Sequence, residues 1–177
     1  MASAADPNAL PVFVCYAHED NESPDPSKRW LNRLLQHLAP LGMQNLVNAW
    51  SDRQIDIGDT WDAEIKSELQ QAKAAVLLVS PAFLASKYIR NSELPVLLKR
   101  AKEHGLTVIS IIIKPCMFAE TNFKYPDPVD GPEEFSLATL QAANSPTQEL
   151  SGMSEHEQDR VLVSVAQRLL KLVQPNP

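Results

Sequence analysis

Short apolar runs alternate with amphipathic stretches along most of this chain. Val12-Phe13-Val14-Cys15-Tyr16 is unbroken and apolar, the pattern of a strand buried on both faces. A polar stretch from His18 to Asp25 follows. Pro26 and Ser27 then mark a helix start, with Ser27 as the candidate N-cap. Leu31, Leu34, Leu35 and Leu38 form one helical stripe, and Pro40 and Gly42 are expected to end that helix. Leu46 to Trp50 reads as a second strand, and Ser51 to Asp59 as a polar loop containing Gly58. Asp59 is placed to cap a helix whose stripe is Trp61, Ile65 and Leu69, extended by Ala72.

Ala74 to Ser80 is the next apolar run. Two placements of the helix after it are open. Ser92 caps it and Pro95 sits in the first turn, where the missing N–H costs nothing; or it begins near Ser86 and Pro95 kinks it. Gly105 ends it in both cases. Leu106 to Ile113 is the clearest strand signal in the chain. Lys114 to Pro132 holds Pro115, Pro126, Pro128 and Pro132 and reads as irregular, with a weak last strand expected near Phe135 to Leu140. Ser154-Glu155-His156-Glu157 has capping-box spacing and precedes a stripe of Val161, Leu162, Val165, Leu169 and Val173.

The alternation of strand and helix demands a parallel sheet with helices on both faces. One domain is expected over residues 11–174, after a flexible segment of residues 1–10. The five glycines all fall at expected turns and form neither a dinucleotide-binding fingerprint nor a P-loop.

Charge and cysteine usage narrow the function classes. A net charge of −6 argues against a nucleic-acid surface. Lys87, Arg90, Lys99, Arg100 and Lys102 cluster in sequence and read as a solvated helix face. Cys15 and Cys116, in or beside strands, look like buried small hydrophobes, which fits a reducing cytosol. No apolar run approaches the ~20 residues that span a bilayer, and residues 1–7 lack the pattern of a signal peptide. A cytoplasmic protein without membrane contact is the expectation. His18, His37, His104 and His156 are scattered, and no Cys/His spacing fits zinc.

The run Ser86-Lys87-Tyr88-Ile89-Arg90-Asn91-Ser92-Glu93-Leu94 concentrates the candidate chemistry. It places Glu93 where a helix meets the C-terminal edge of a parallel sheet, the edge at which ligands bind in open α/β folds. The bland alternative is a first-turn acid that stabilises a helix dipole.

Three segments carry a resemblance. They are Phe13-Val14-Cys15-Tyr16-Ala17-His18-Glu19-Asp20; Gly42 through Leu46-Val47-Asn48-Ala49-Trp50-Ser51-Asp52-Arg53 to Gly58; and Ala75-Val76-Leu77-Leu78-Val79-Ser80-Pro81-Ala82-Phe83-Leu84 continuing to Glu93-Leu94-Pro95. In this order and spacing the chain resembles a Toll/interleukin receptor (TIR) domain of the bacterial type, over roughly residues 10 to 115. The resemblance implies a flavodoxin-like three-layer sandwich with a five-stranded parallel sheet. It implies cleavage of NAD⁺ at the nicotinamide–ribose bond, with NAD⁺ as substrate and no further cofactor. The catalytic glutamate of such enzymes lies at the start of the helix after strand three, the position of Glu93. The loop after strand two, here Ser51 to Asp59, covers the pocket and takes part in self-assembly. Other TIR domains are therefore the implied partners, clustered by a sensor domain or subunit, in an effector of antiphage immunity. Family members commonly carry an aromatic residue about one turn before the glutamate. Here the residue four back is Ile89, and the aromatic is Tyr88.

A single carboxylate suits this chemistry. Nicotinamide departs as a neutral molecule from a cationic ring nitrogen, so the general acid that ordinary glycosides need is unnecessary. An ionised Glu93 stabilises the oxocarbenium-like ribose electrostatically. Strand ends supply the candidate contacts: Tyr16, Ala17 and His18 after the first strand, and Ser80 after the third. Tyr16 stacks on a base or packs in the core; His18 is a polar contact or a solvated loop residue. Trp50, Asp52 and Arg53 lead into the covering loop, where Arg53 grips a pyrophosphate or pairs with Asp52 or Asp56. A non-catalytic assembly module competes with the enzyme. A nucleoside deoxyribosyltransferase-like enzyme, with a glutamate nucleophile on a related fold, is a third reading.

Overall fold

The computed structural model describes residues 6–51, 61–124, 129 and 134–173. In chain order the elements are β1 (Leu10–Tyr16), α1 (Trp30–Met43), β2 (Val47–Trp50), α2 (Trp61–Gln71), β3 (Ala74–Val79), α3 (Pro81–Ala85), α4 (Leu94–His104), β4 (Thr107–Ile112), β5 (Asn122–Lys124), β6 (Glu134–Ser136), β7 (Gln141–Ala142) and α5 (Glu155–Val173). The main sheet runs β2-β1-β3-β4-β7, every pair parallel. This is the doubly wound order in which the chain reverses direction across the sheet between β1 and β3.

Alternation along each strand feeds two cores. Val12, Val14, Tyr16, Val76, Leu78, Ile109 and Ile111 pack against Leu31, Leu34 and Leu38 of α1 and Leu162, Val165 and Leu169 of α5. Phe13, Cys15, Ala17, Ala75, Leu77 and Val79 face the other way, onto Ile65 and Leu69 of α2 and Leu94 and Leu97 of α4. Three layers result because each strand is apolar on both faces. The α1–α5 seam is tied by Arg33, which donates to Gln158 and, at 2.8 Å, to Asp159. His37 reaches the same Asp159 oxygen at 3.1 Å.

Several boundaries differ from the sequence reading, each for a physical reason. Pro26–Lys28 forms a separate 3₁₀ turn capped by Asp25, so Ser27 caps nothing and α1 begins at Trp30. Helix α1 continues through Pro40 and Gly42 to Met43. Its end is set by Asn45 at φ 56°, a conformation that Asn tolerates, and the Leu46 N–H closes onto the Leu41 carbonyl at 2.9 Å. Helix α4 ends at Gly105, as expected, with φ 67°. The fifth strand of the sheet is Gln141–Ala142 and not Phe135 to Leu140. Phe135 instead pairs with Phe123 in a small antiparallel hairpin, which also gives regular structure to part of the Pro-rich segment. Beyond β7, the Asn144 side chain bonds both the N–H and the carbonyl of Ile112, each at 2.9 Å, standing in for a missing strand partner. Two of the clustered cations hold structure as well as meeting water. Arg100 donates to the Leu69 and Ala72 carbonyls at the end of α2. Arg90 lies over the Phe123 ring at 4.9 Å and donates to the Asn122 carbonyl at 3.2 Å. Among the described residues no helix is long and apolar enough to cross a membrane.

Candidate active site

At the switch point the chain leaves β1 toward α1 on one face and leaves β3 toward α4 on the other. The diverging connections open a crevice at the C-terminal edge of the sheet. A cleft of about 330 Å³ lies there, walled by Tyr16, Ala17, His18 and Glu19 on the β1 side and by Ala82, Ala85, Ser86, Tyr88 and Ile89 on the β3 side. That volume is at the lower end of the roughly 300–1,000 Å³ typical of small-molecule sites. Five sequence-selected residues (Tyr16, Ala17, His18, Tyr88 and Ile89) meet in this cleft.

Glu93 is not among the residues that wall it. The residue is 1% exposed, and the Cys15 thiol donates to its Oε2 at 2.9 Å. Cys15 and Ala17 share one face of β1, and Ala17 lines the cleft, so the carboxylate meets β1 two residues before the strand reaches the cleft wall. Burying an ionised carboxylate is costly unless hydrogen bonds replace its water, and the thiol supplies one such donor.

Glu93 is not at a helix N-terminus, contrary to the sequence reading. Residues 87 and 88 are already helical, and Ile89–Glu93 forms a π-helical turn that runs directly into α4. The Leu94 N–H bonds the Ile89 carbonyl, five residues back instead of four. Such a turn takes in one extra residue, so residues five apart come into the alignment that residues four apart have in an α-helix. The five-residue spacing from Tyr88 to Glu93 is accommodated in this way. Of the two placements left open for this helix, the start near Ser86 holds, and Ser92 lies inside the π turn and is not a cap. The Ser86 hydroxyl accepts from the Ile89 N–H at 3.3 Å near the beginning, and Pro95 still falls in the first turn of α4.

The other candidates are placed differently. Ser80 is fully buried. Its hydroxyl donates to Asp20 and accepts from the Phe83 N–H at 3.1 Å, capping α3. Asp20, 2% exposed, also meets Lys114 Nζ at 3.4 Å. This pair fixes the two connections that wall the cleft. Trp50 is half-buried and packs on Phe13, with ring centroids 5.3 Å apart. Asp52 and Arg53 lie outside the described residues, as does the rest of the covering loop up to residue 60. His18 is exposed, its ring 5.3 Å from that of Tyr16. Tyr16 packs in the α1–α5 core, 5% exposed, and also lines the cleft.

Sequence reasoning missed Cys15, Glu19, Ala82, Ala85 and Ser86 as parts of the site. The period-two alternation of β1 was the available signal for Cys15. Small Ala82 and Ala85 carry no chemical signature, and only packing shows that they leave room. A larger cleft of about 580 Å³ opens on the same sheet edge, between Glu19, Asp20, Lys28, Lys114 and Gln158 among others. It borders the α1–α5 face, whereas Cys15 and Glu93 belong to the α2–α4 face. The smaller cleft, through Ala17 and Ile89, is the one that shares the core of Cys15. Among the described residues no group of three or more His, Cys, Asp or Glu is placed to hold a metal ion.

A family model described as TIR domain matches residues 12–144. The chain belongs to the TIR-domain family. The uncharacterized protein y4lF of Sinorhizobium fredii is 30% identical to this TIR domain over 105 residues. Those residues are 59% of this chain and 30% of that protein, so the chain spans under a third of its relative's length. Among solved structures, the TIR domain of the Toll-related receptor TRR-2 from Hydra magnipapillata matches 69% of this chain and 86% of its own, at 23% identity and a TM-score of 0.44.

Proposed function

We propose that this TIR domain cleaves NAD⁺ at the nicotinamide–ribose bond, with Glu93 as the charged group that stabilises the developing oxocarbenium ion. The observation that carries this reading is a buried carboxylate bonded to the strand that ends in a cleft at the topological switch point, the place where open α/β sheets bind ligands. NAD⁺ enters between Tyr16, Ala17 and His18 on one wall and Tyr88 and Ile89 on the other, and no further cofactor is needed. Trp50, Asp52 and Arg53 are assigned to the entry to the loop that closes the site, Arg53 against the pyrophosphate. Ser80 acts through Asp20 and α3 by holding the walls.

Activity depends on self-association. The 1% exposure of Glu93 fits a domain that is off as a single copy, and a neighbouring TIR domain completes the pocket when a sensor domain or subunit clusters several copies. An effector of bacterial antiphage immunity, acting in the cytoplasm, works in this manner. The test is nicotinamide release from NAD⁺ by artificially clustered protein, wild type beside Glu93→Gln. Release by the wild type and none by the variant supports the assignment; equal release by both removes Glu93 from it.

The burial of Glu93 also favours a second reading, a non-catalytic module that only assembles with other TIR domains. Clustered wild type that releases no nicotinamide, with clustering verified by light scattering, selects that module.

A further inference from the structure

The thiol of Cys15 is a buried group to which the proposed reaction assigns no part. Cys15 is fully buried on β1, beside Leu77 of β3, and Ser110 of β4 follows next in register. Its neighbours on the same face of β1 are Phe13 and Ala17. Into this largely apolar layer the chain directs Glu93 from the π turn, and the thiol meets Oε2 at 2.9 Å. The contact joins residues 78 positions apart in sequence. It pins a side chain of α4's leading turn to β1, the strand that ends at the cleft.

We infer that Cys15 is a positioning residue for Glu93: its S–H donor holds one carboxylate oxygen toward β1 and thereby sets the direction in which the other faces. This inference rests on the reading of Glu93 as the catalytic group. A thiol is a weak donor, but the interior strengthens hydrogen bonds, and an unsatisfied acceptor there is costly. Without the donor, that oxygen loses a buried hydrogen bond, and a drift of the carboxylate lowers the rate of a step that needs a fixed charge. Substrate binding by the walls is untouched, so the loss falls on kcat and spares KM.

The test has two arms on the full chain. The S–H stretching band of Cys15 is isolated by subtracting the infrared spectrum of Cys15→Ala, which retains Cys116, from that of the wild type. Glu93→Gln replaces a carboxylate acceptor by a weaker amide oxygen, and the Cys15 band is expected to move to higher wavenumber. A band that does not move overturns the contact. In the second arm clustered Cys15→Ala loses roughly tenfold in kcat, about 1.4 kcal/mol in activation free energy, with KM little changed, and Cys15→Ser, which keeps a donor, recovers most of it. An unchanged or increased kcat in Cys15→Ala overturns the positioning role. Should the wild type release no nicotinamide while the band still responds to Glu93→Gln, the contact stands and the reading of the function falls.

Discussion

Replacing Asp20 by Ala removes the buried carboxylate that links the connection after β1 to the one after β3. Asp20 is 2% exposed and accepts the Ser80 hydroxyl. A hydrogen bond to a charged group is worth about 1.5–3 kcal/mol, and a buried donor left without its acceptor adds to the cost of losing it. Lys114 lies 3.4 Å away, but its side chain is 47% exposed. That pair is screened and worth below about 1 kcal/mol. Ser80 keeps its bond to the Phe83 N–H, so α3 retains its cap. The total is a loss of about 2–3 kcal/mol. At ~2–4 °C per kcal/mol for a domain of this size, Tm falls by roughly 5–10 °C. Urea unfolding followed by far-ultraviolet circular dichroism reads the free energy directly. A double-mutant cycle with Ser80→Ala is expected to give a coupling of about 1 kcal/mol or more, and Lys114→Ala alone a change below about 1 kcal/mol. Asp20→Ala within about 0.5 kcal/mol of wild type, the spread of surface changes, refutes this account. So does a Lys114→Ala variant as unstable as Asp20→Ala, which would shift the role from the hydroxyl to the ion pair.

Further predictions concern α5, the α1–α5 seam and the cysteines. Ser154 accepts from the Glu157 N–H at 3.2 Å while its own N–H donates to Glu157 at 2.9 Å; Ser154→Ala is expected to cost about 1 kcal/mol in urea unfolding. The Arg33 hydrogen bond, and after it that of His37, holds the Asp159 carboxyl below the usual range. A carboxylate depressed by folding contributes stability above its unfolded pKa, near 3.9, which is lost as pH falls through the folded value. With the Asp159 side chain 50% exposed, that contribution is at most about 1 kcal/mol. Asp159→Asn should therefore lower the urea midpoint at neutral pH and narrow its gap from wild type near pH 3, about the acid end of carboxylate titration; a gap of equal size at both pH values contradicts the assignment. Burial pushes the Cys116 thiol up, so iodoacetamide should label Cys116 slowly at neutral pH and Cys15 only after unfolding. Mass spectrometry of the folded protein would contradict this by finding Cys15 labelled first.

Apolar runs on β1, β3 and β4 were legible because a strand buried on both faces has no polar positions to blur its ends. The capping box of α5 and the glycine stop of α4 were legible because each depends on local backbone chemistry. What sequence could not show was set by distant partners. The last strand of the sheet has two residues, extended by the Asn144 side chain, and no periodicity exists in so short a segment. Phe135 has strand character, but Phe123 claims it for a separate hairpin. Pro40 reads as a stop, yet it sits near the end of α1, where Leu41 still packs against the core and offsets the lost bond. At the site, the strand-end residues Tyr16, Ala17 and His18 were legible, since alternating strands and helices deliver them to one edge of the sheet. The π turn was not: a spacing of five between Tyr88 and Glu93 looks like a mismatch until the backbone absorbs it. Ser80 was read as a contact for substrate, and its hydroxyl is occupied by Asp20 and the Phe83 N–H instead.

The central claim is that NAD⁺ occupies the switch-point cleft. Amide chemical-shift mapping on clustered Glu93→Gln, which would bind NAD⁺ without consuming it, tests this most directly. The account predicts NAD⁺-dependent shifts at Ala17, His18, Ser86, Tyr88 and Ile89. Shifts confined to the larger cleft near Lys28, Lys114 and Ser151, or none at saturating NAD⁺, would contradict it.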